Sequence, residues 1–261
     1  MTRFPFPALP VCPFIIAKRV GVLVQPKYSS EPGVSGFLMR VGNEFGIQYS
    51  QHIQNQGFIR FTVAHELGHY FLHGHADHLF ASGDGVHASR SGFVSDDRYE
   101  RQADFFASAL LMPETLFCKE IENAGQSFAA IEKLARLFQT SLVATAIRYA
   151  EMSEGAVAII MSIGRRIDYC FMSNRIRDLR GITWISKGDF LSVGTTTARF
   201  NASPGFVEQS RRVEGVSTLD DWFDGAPEIE VNEDVVGLGS YGRTMTIIYT
   251  DEDLESDDED D

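Results

Sequence analysis

The stretch that decides the fold is Arg60-Phe-Thr-Val-Ala-His65-Glu66-Leu-Gly-His69-Tyr-Phe-Leu-His73. Apolar residues recur along it at helical spacing, at Val63, Leu67 and Phe71. This periodicity predicts an amphipathic helix. His65 and His69 are four residues apart, so a helix places both imidazoles on one face, roughly opposite the apolar stripe. Two histidines on one face can reach the same metal ion, and the pattern therefore predicts a metal site.

Glu66 is a candidate general base at this predicted metal site. On a helix it is offset from His65 by about one hundred degrees, close enough to hold and deprotonate a metal-bound water without being a ligand. A bound zinc ion lowers the pKa of its water toward neutrality, and a carboxylate can then take the proton. We therefore expect one Zn²⁺ ion, or another divalent metal, with Glu66 as the catalytic base.

A catalytic zinc needs a third protein ligand and one open position. A carboxylate is favoured, and the best candidate is Glu100, in a predicted helix that begins after Ser95 and ends before Pro113. His75 has the spacing of the third histidine in metzincins, but Leu72 replaces the glycine that turns the chain in that motif. The alternatives left open for the third ligand are His73, His75 and Glu114.

Asp104 lies one helical turn after Glu100 and can accept a hydrogen bond from the second nitrogen of a ligating histidine. Without the histidine motif, both acids would be interpreted as ordinary solvated helix residues. Other side chains near the motif could stabilise an oxyanion, but the sequence assigns them no role: Tyr70, His75, His78, His87 and Tyr99.

These residues resemble the ImmA/IrrE metallopeptidase family over about residues 10–150. The resemblance rests on the histidine motif, on Gly33-Val-Ser-Gly36 before a hairpin, and on Glu100-x-x-Ala-Asp-x-Phe-Ala-x-x-Leu-Leu-Met-Pro. It implies a zincin-like domain with His65 and His69 as ligands, Glu66 as catalytic glutamate and Glu100 as third ligand. The family commonly has asparagine where this chain has Asp104. Its members are intracellular proteases that cut helix-turn-helix repressors and release stress-response or mobile-element genes.

The rest of the chain predicts an α+β protein. A hairpin is expected at Ser35–Val41 and Glu44–Tyr49 around Gly42-Asn43, and a long loop over Gly74–Gly92. Helices are expected at Phe128–Phe138 and Leu142–Met152. Further strands are expected at Val157–Ile163, Ile167–Met172, Ile182–Ile185, Val193–Phe200 and Met245–Tyr249.

A change of texture at Ser153–Gly155 predicts a domain boundary. The first domain, residues 1–154, carries the metal motif and helical extension, and the second, residues 155–250, is rich in strands. The resemblance implies that the second is a sensor-like domain of the GAF type, with Gly237–Thr246 similar to a terminal strand of the family. Residues 251–261 hold nine acids and no base and predict a disordered acidic tail.

Charge restricts the classes of binding partner, and cysteine content indicates the cellular compartment. The net charge of −13 argues against a protein that chiefly grips nucleic acid or an anionic membrane, and without the tail about −4 remains. Residues 129–150 have the outline of a helix-turn-helix, but the second helix carries only Arg148 as a base, so DNA binding is not expected. Three scattered cysteines, no membrane-length apolar run and no secretory signal layout predict a cytoplasmic protein.

The function predicted from these observations is a zinc endopeptidase that acts on a regulatory protein. The alternative is a non-proteolytic, metal- or ligand-sensing regulatory protein that uses the zinc fold as a binding module. Glu66 favours the first, because a purely structural zinc site has no use for a general base and is usually closed by four protein ligands.

Overall fold

The computed structural model describes residues 9–28, 33–90, 95–252 and 254. The helices are α1 (Pro13–Arg19), α2 (Gln56–Phe71), α3 (His75–Leu79), α4 (Arg98–Leu111), α5 (Glu114–Glu122), α6 (Phe128–Phe138), α7 (Leu142–Met152), α8 (Asn174–Arg177) and α9 (Thr196–Ala202). The strands are β1 (Leu23–Lys27), β2 (Val34–Val41), β3 (Glu44–Ser50), β4 (Val86–Arg90), β5 (Ala156–Ile163), β6 (Arg166–Met172), β7 (Arg212–Thr218), β8 (Glu230–Gly237) and β9 (Thr244–Thr250). The chain is thus a mixed α+β protein. None of the helices within these ranges is both long enough and apolar enough to cross a membrane.

The described residues form two compact units, one within Met1–Phe117 and Lys133–Thr145, the other within Cys118–Glu132 and Ala146–Asp261. The sequence analysis expects instead a single boundary after α7. In the second unit, the Phe128 backbone N–H donates to Asp234 Oδ2 (2.8 Å). The Tyr149 hydroxyl donates to the Gly125 carbonyl (2.8 Å). These two bonds tie the start of α6 and the end of α7 to residues of the second unit.

The first unit is built on a four-stranded sheet of order β1-β3-β2-β4. β2 and β3 form the expected antiparallel hairpin, in which Val41 pairs with Glu44. The turn between them uses Gly42 at a φ of +62°, in the left-handed region that favours glycine. β1 pairs with β3 in the parallel direction, and β4 pairs with β2 in the antiparallel direction.

The expected loop over Gly74–Gly92 is wrong for most of its length, and residues 91 and 92 lie outside the described ranges. Its first part forms α3 and its last part forms β4. β4 alternates between exposed and inward-facing residues, with His87 and Ser89 facing inward. Because β4 has few apolar side chains, its strand character depends on pairing with the distant β2, and composition alone predicts a loop.

Helix α2 packs its apolar stripe on this sheet. Val63 and Leu67 are fully buried and belong to one cluster with Leu38 of β2 and Ile47 of β3. Phe71, the third residue of the predicted stripe, is 43% exposed at the end of the helix. Burial of this stripe holds α2 in place and fixes the direction in which its histidines point.

The second unit is built on an antiparallel sheet of order β6-β5-β9-β8-β7. Strands expected near β5, β6 and β9 are present, but Ile182–Ile185 forms no strand and the sequence analysis missed β7 and β8. Val193–Phe200 is not a strand either, because its second half begins α9. There Thr195 Oγ1 accepts from the Ala198 N–H (3.1 Å), and buried Glu233 accepts from the Thr196 N–H (2.9 Å). These caps outweigh the strand preference of the threonine run.

The segment expected to be a disordered tail begins within the folded unit. Gln126 Nε2 donates to Asp251 Oδ1 (2.7 Å). Leu254 is only 2% exposed and belongs to the core cluster of the second unit. The disorder expected from Asp251 onward is therefore wrong at these two residues, while residues 253 and 255–261 lie outside the described ranges.

Candidate metal centre

Helices α2 and α4 cross closely at a glycine of the histidine motif. A β-carbon at Gly68 would lie 3.1 Å from Ala103 Cα and 3.2 Å from Phe106 Cδ1, tighter than ordinary van der Waals contact. Only a residue without a side chain lets the two backbones approach this far. The crossing sets the acids of α4 directly against the histidines of α2.

The start of α4 is fixed by Asp97 rather than by Ser95. Asp97 Oδ1 accepts from the backbone N–H groups of Tyr99 (2.6 Å) and Glu100 (3.4 Å), whereas Ser95 Oγ accepts from the Asp97 N–H (3.1 Å). Asp97 is therefore the N-cap residue. This cap places Glu100 in the first turn, at the end of α4 that faces the motif.

The structure brings His65, His69 and Glu100 together. His65 Nε2 lies 3.0 Å from His69 Nε2 and 3.2 Å from Glu100 Oε2, and His69 Nε2 lies 3.3 Å from Glu100 Oε1. Ligands about 2.0–2.1 Å from a tetrahedral zinc ion are about 3.3 Å apart, so these separations suit one ion. Two imidazole nitrogens and a carboxylate oxygen are also a donor set that zinc accepts.

Within the described ranges, these three residues are the only group of histidine, cysteine and acidic side chains that could hold a metal. The alternatives for the third ligand lie elsewhere. His73 is exposed beyond the end of α2, and Glu114 opens α5. His75 contacts the far nitrogen of His69, on the ring side away from Glu100.

Asp104 lies where the sequence analysis expects it. Its Oδ1 is 2.8 Å from His65 Nδ1. A carboxylate can only accept, so Nδ1 carries a proton, and in the neutral imidazole that a metal requires Nε2 is then the unprotonated nitrogen, on the side of Glu100 and His69. Burial lowers the pKa of His65, but hydrogen bonds to Asp104 and Glu100 outweigh it and raise the pKa to about 10 in the metal-free protein.

Glu66 is fully buried, and its carboxylate makes no hydrogen bond of good geometry within the described residues, although Ser89 of β4 lies close enough to lower its pKa. Burial raises the pKa of Glu66 to about 7, against the opposing effect of neighbouring His65. A β-carbon at Gly36 of β2 would lie 2.5 Å from Glu66 Oε1, so a glycine here leaves the space that the carboxylate fills. A buried carboxylate without a good hydrogen bond is costly, and such groups mark functional sites.

The other two members of the cluster have opposite charge preferences. Burial lowers the pKa of His69 to about 4, which keeps this ring neutral and able to bind a metal. Burial alone would raise the pKa of Glu100, but the interactions with the surrounding imidazoles, chiefly that of His65, hold the pKa well below its usual range. Before any metal enters, the site therefore contains a neutral His69, an ionised Glu100 and a protonated His65, which must lose a proton to bind a metal.

Two histidines left without a role lie at the site. His87 Nε2 is 3.0 Å from Glu100 Oε1, and His75 Nδ1 is 3.0 Å from His69 Nδ1. Burial also lowers the pKa of His75. Alternation in Val86-His-Ala-Ser-Arg90 could have revealed the strand that turns His87 inward, but no local pattern shows that β4 pairs with β2. Tyr99 stacks on His78, with ring centroids 3.9 Å apart.

Comparison with known families decides what this site belongs to. Residues 17–149 match a peptidase-family profile described as the IrrE N-terminal-like domain, which spans the whole cluster. The chain belongs to the ImmA/IrrE family. The matched region includes the histidine motif, Glu100 and Asp104, and the family is the one that the sequence resemblance predicts.

Among members of the ImmA/IrrE family, the chain is similar to the radiation response metalloprotease IrrE of Deinococcus radiodurans. The two are 31% identical over 104 residues, which is 40% of this chain and 30% of that protein. The match thus spans less than a third of the length of that relative.

Among solved structures, the chain is similar in fold to a transcriptional regulator of Mycobacterium tuberculosis. The likeness has a TM-score of 0.55 at 15% identity and covers 90% of this chain and 68% of the other. At this identity the likeness concerns the fold alone.

Proposed function

We propose that this protein is a zinc-dependent endopeptidase that cleaves a peptide bond in a regulatory protein. The observation that carries the proposal is the fully buried carboxylate of Glu66, which makes no hydrogen bond of good geometry, beside the cluster of His65, His69 and Glu100. A site that only held a metal would have no use for a second buried carboxylate at this place. A general base needs this combination of position and free lone pairs.

The residues of the chain divide the work. His65, His69 and Glu100 would hold the ion, and Asp104 would hold the proton of a neutral His65 on Nδ1, which leaves Nε2 for the ion. When bound, zinc supplies a Lewis acid that makes water more acidic and polarises a carbonyl group. Glu66 accepts the proton of the attacking water and returns it to the leaving amine. An ion in the cluster would favour the ionised form of Glu66, which is the form that a base needs.

Strand β4 supports a peptide as the substrate. In the described part of the chain it is one of the two edge strands of the first sheet, and His87 on its inward face reaches Glu100. An extended peptide can add to an exposed strand edge through backbone hydrogen bonds. A peptide bound there would lie beside the cluster. A helix that carries both histidines, packed on a mixed sheet with such an edge, supports the zincin-like assignment.

We place the substrate among helix-turn-helix transcriptional repressors, whose cleavage switches on stress-response or mobile-element genes. Such repressors are basic on the DNA-binding face, and this chain has a net charge of −13, which favours their encounter. The name of the Deinococcus relative, a radiation response metalloprotease, agrees with a role in stress. A repressor substrate places the protein in the cytoplasm, where free cysteines such as Cys12, Cys118 and Cys170 persist.

For the strand-rich domain we propose a sensor-like role of the GAF type. Its five-stranded antiparallel sheet supports this assignment. A cavity of about 200 Å³ in this unit has aromatic and acidic walls that include Trp184, Phe190, Trp222 and Asp221. Pockets for drug-sized ligands are usually about 300–1,000 Å³, so a ligand of this cavity would be smaller than those.

The test is cleavage of the repressor encoded nearest the gene, with purified protein and zinc. Wild-type protein should cleave it, and a chelator should stop the reaction until zinc is restored. Glu66→Gln protein, which keeps the shape of the side chain, is the matched control and should bind zinc without cleaving. If wild-type protein binds zinc and binds the repressor but never cleaves it, the non-proteolytic binding module is the correct function.

A further inference from the structure

The two candidate histidine ligands are held from behind by different partners. His65 Nδ1 meets the carboxylate of Asp104, whereas His69 Nδ1 meets a second imidazole, that of His75, at 3.0 Å. Metal-binding histidines usually donate this second N–H to a carboxylate, a backbone carbonyl or water. An imidazole in this place is a different arrangement.

The position of His75 follows from the local fold. α2 ends at Phe71, and the chain turns so that the His75 N–H donates to the Leu72 carbonyl (3.3 Å) and α3 begins. This turn brings His75 back under His69, where its side chain is 1% exposed. The far nitrogen of the same ring, Nε2, is 3.1 Å from Gln102 Oε1 of α4.

Hydrogen-bond accounting along this chain of groups starts from Gln102 Oε1, the amide atom that meets His75. Gln102 Oε1 can only accept, so His75 Nε2 carries a proton and donates it. A neutral imidazole has one N–H, so His75 Nδ1 is then an acceptor and receives the N–H of His69 Nδ1. His69 Nε2 is left with its lone pair, and this is the atom that lies 3.3 Å from Glu100.

We propose that His75 is a positioning residue that, together with Gln102, fixes the tautomer and ring orientation of His69 so that Nε2 faces the metal. The proposal rests on the proposed metal site and adds a role that neither the motif spacing nor the ligand set assigns. It also explains why His75, at the spacing of a third metzincin ligand, does not join the cluster: its nitrogens are both engaged, one by His69 and one by Gln102.

The first experiment reads the tautomers directly by nitrogen-15 NMR of histidine side chains in metal-free, full-length protein. His69 should carry its proton on Nδ1 and His75 on Nε2. In Gln102→Leu protein the preference of His75 for Nε2–H should be lost. A His75 proton on Nδ1 in the wild type would overturn the proposal, whether or not the protein binds zinc.

The second experiment measures zinc affinity by competition with a chromophoric chelator. His75→Leu removes the acceptor and should weaken zinc binding by about 10–100-fold. His75→Asn can keep an acceptor oxygen near the place of Nδ1 and should recover most of this loss. The matched control is His78→Leu on the same short helix, since His78 is exposed and stacks on Tyr99. It should bind zinc as the wild type does.

The outcomes separate the two proposals. Absence of zinc binding by the wild type contradicts the proposed function, while the NMR measurement still decides the role of His75. Equal zinc affinity in His75→Leu and wild-type protein contradicts the positioning role. If His75→Leu does not fold, Gln102→Leu replaces it, because Gln102 is exposed, and it should weaken zinc binding more than His78→Leu does.

Discussion

Asp104 Oδ1 lies 2.8 Å from His65 Nδ1, so an acid of α4 determines which nitrogen of a histidine on α2 is free. Asp104 is not one of the three candidate ligands, but its hydrogen bond fixes the orientation of the His65 ring, which is one of them. The family commonly has asparagine at this position, and its amide oxygen can accept the same hydrogen bond.

Removal of this acceptor should therefore matter more than removal of its charge. We expect Asp104→Ala to weaken zinc binding about 10–100-fold, and Asp104→Asn to keep most of the affinity. Chelator competition measures both. Equal losses in the two variants would mean that the charge of Asp104, rather than its hydrogen bond, holds the site.

Glu66→Gln should separate binding from turnover. The amide keeps the shape but cannot accept the proton, so zinc content should be unchanged while cleavage falls at least about 100-fold. Elemental analysis and a cleavage assay on the same preparation give the two numbers. A variant that cleaves as fast as the wild type would remove Glu66 from the mechanism.

Glu66 should also make the metal-free protein less stable as the pH rises. Burial raises the pKa of Glu66 from 4.5 to about 7. Between these values the folded protein keeps a proton that the unfolded chain releases, so the stability present below pH 4.5 is lost as the pH rises through 7. The melting temperature of the metal-free wild type should fall relative to that of Glu66→Gln across this window. Parallel curves would contradict the raised pKa.

Substitutions of Glu100 and Asp97 should affect different properties, although both residues are acids at the start of α4. Glu100→Ala removes a candidate ligand and should weaken zinc binding strongly with little effect on folding. Asp97→Ala removes the N-cap and should cost about 1 kcal/mol of unfolding free energy while zinc affinity changes less. Denaturant unfolding and chelator competition distinguish them. Undiminished zinc affinity in Glu100→Ala would move the third ligand elsewhere.

Truncations before and after Leu254 should have different effects on stability. Because Leu254 is 2% exposed, truncation after Thr250 should lower the melting temperature, and Leu254→Ala should cost about 2–5 kcal/mol. Truncation after Leu254 removes six acids and should leave the melting temperature unchanged. Equal melting temperatures for the two truncations would contradict the anchoring of Leu254.

The shorter truncation also tests an electrostatic role for those six acids. It should slow cleavage of a basic repressor at low salt and matter little at high salt, because salt screens long-range attraction. An uncharged peptide substrate serves as the control and should be cleaved at the same rate by both forms. Equal slowing of both substrates would rule out attraction.

The sequence predicts the elements whose signals are local. The motif helix, the hairpin and helices α6 and α7 carry their own periodicity or turn residues, and the structure has them near the expected bounds. β4 and β8 were missed because their character depends on distant partners. β8 contains Glu233 and Asp234, whose charges argue against a buried strand, yet each accepts hydrogen bonds from a helix start far away in the sequence.

In the candidate site, too, the residues with local sequence signals are predicted and those that depend on distant contacts are not. The spacing of His65, Glu66 and His69 on one helix is legible in the sequence, and Glu100 and Asp104 follow from helix spacing once a carboxylate is sought. His75 and His87 could not be given a role, because their contacts arise from a chain reversal and from the pairing of an edge strand. Alternation over residues 86–90 indicates a strand, but no local pattern shows which distant residue either histidine will meet.

An ion bound between the candidate ligands of α2 and α4 would make the protein more resistant to degradation. An ion held by both His69 and Glu100 closes a loop of about thirty residues and acts as a cross-link, as a disulfide does. Such a staple slows the opening that proteolytic degradation requires. We therefore expect a protease to degrade the metal-free form more quickly than the zinc-bound form.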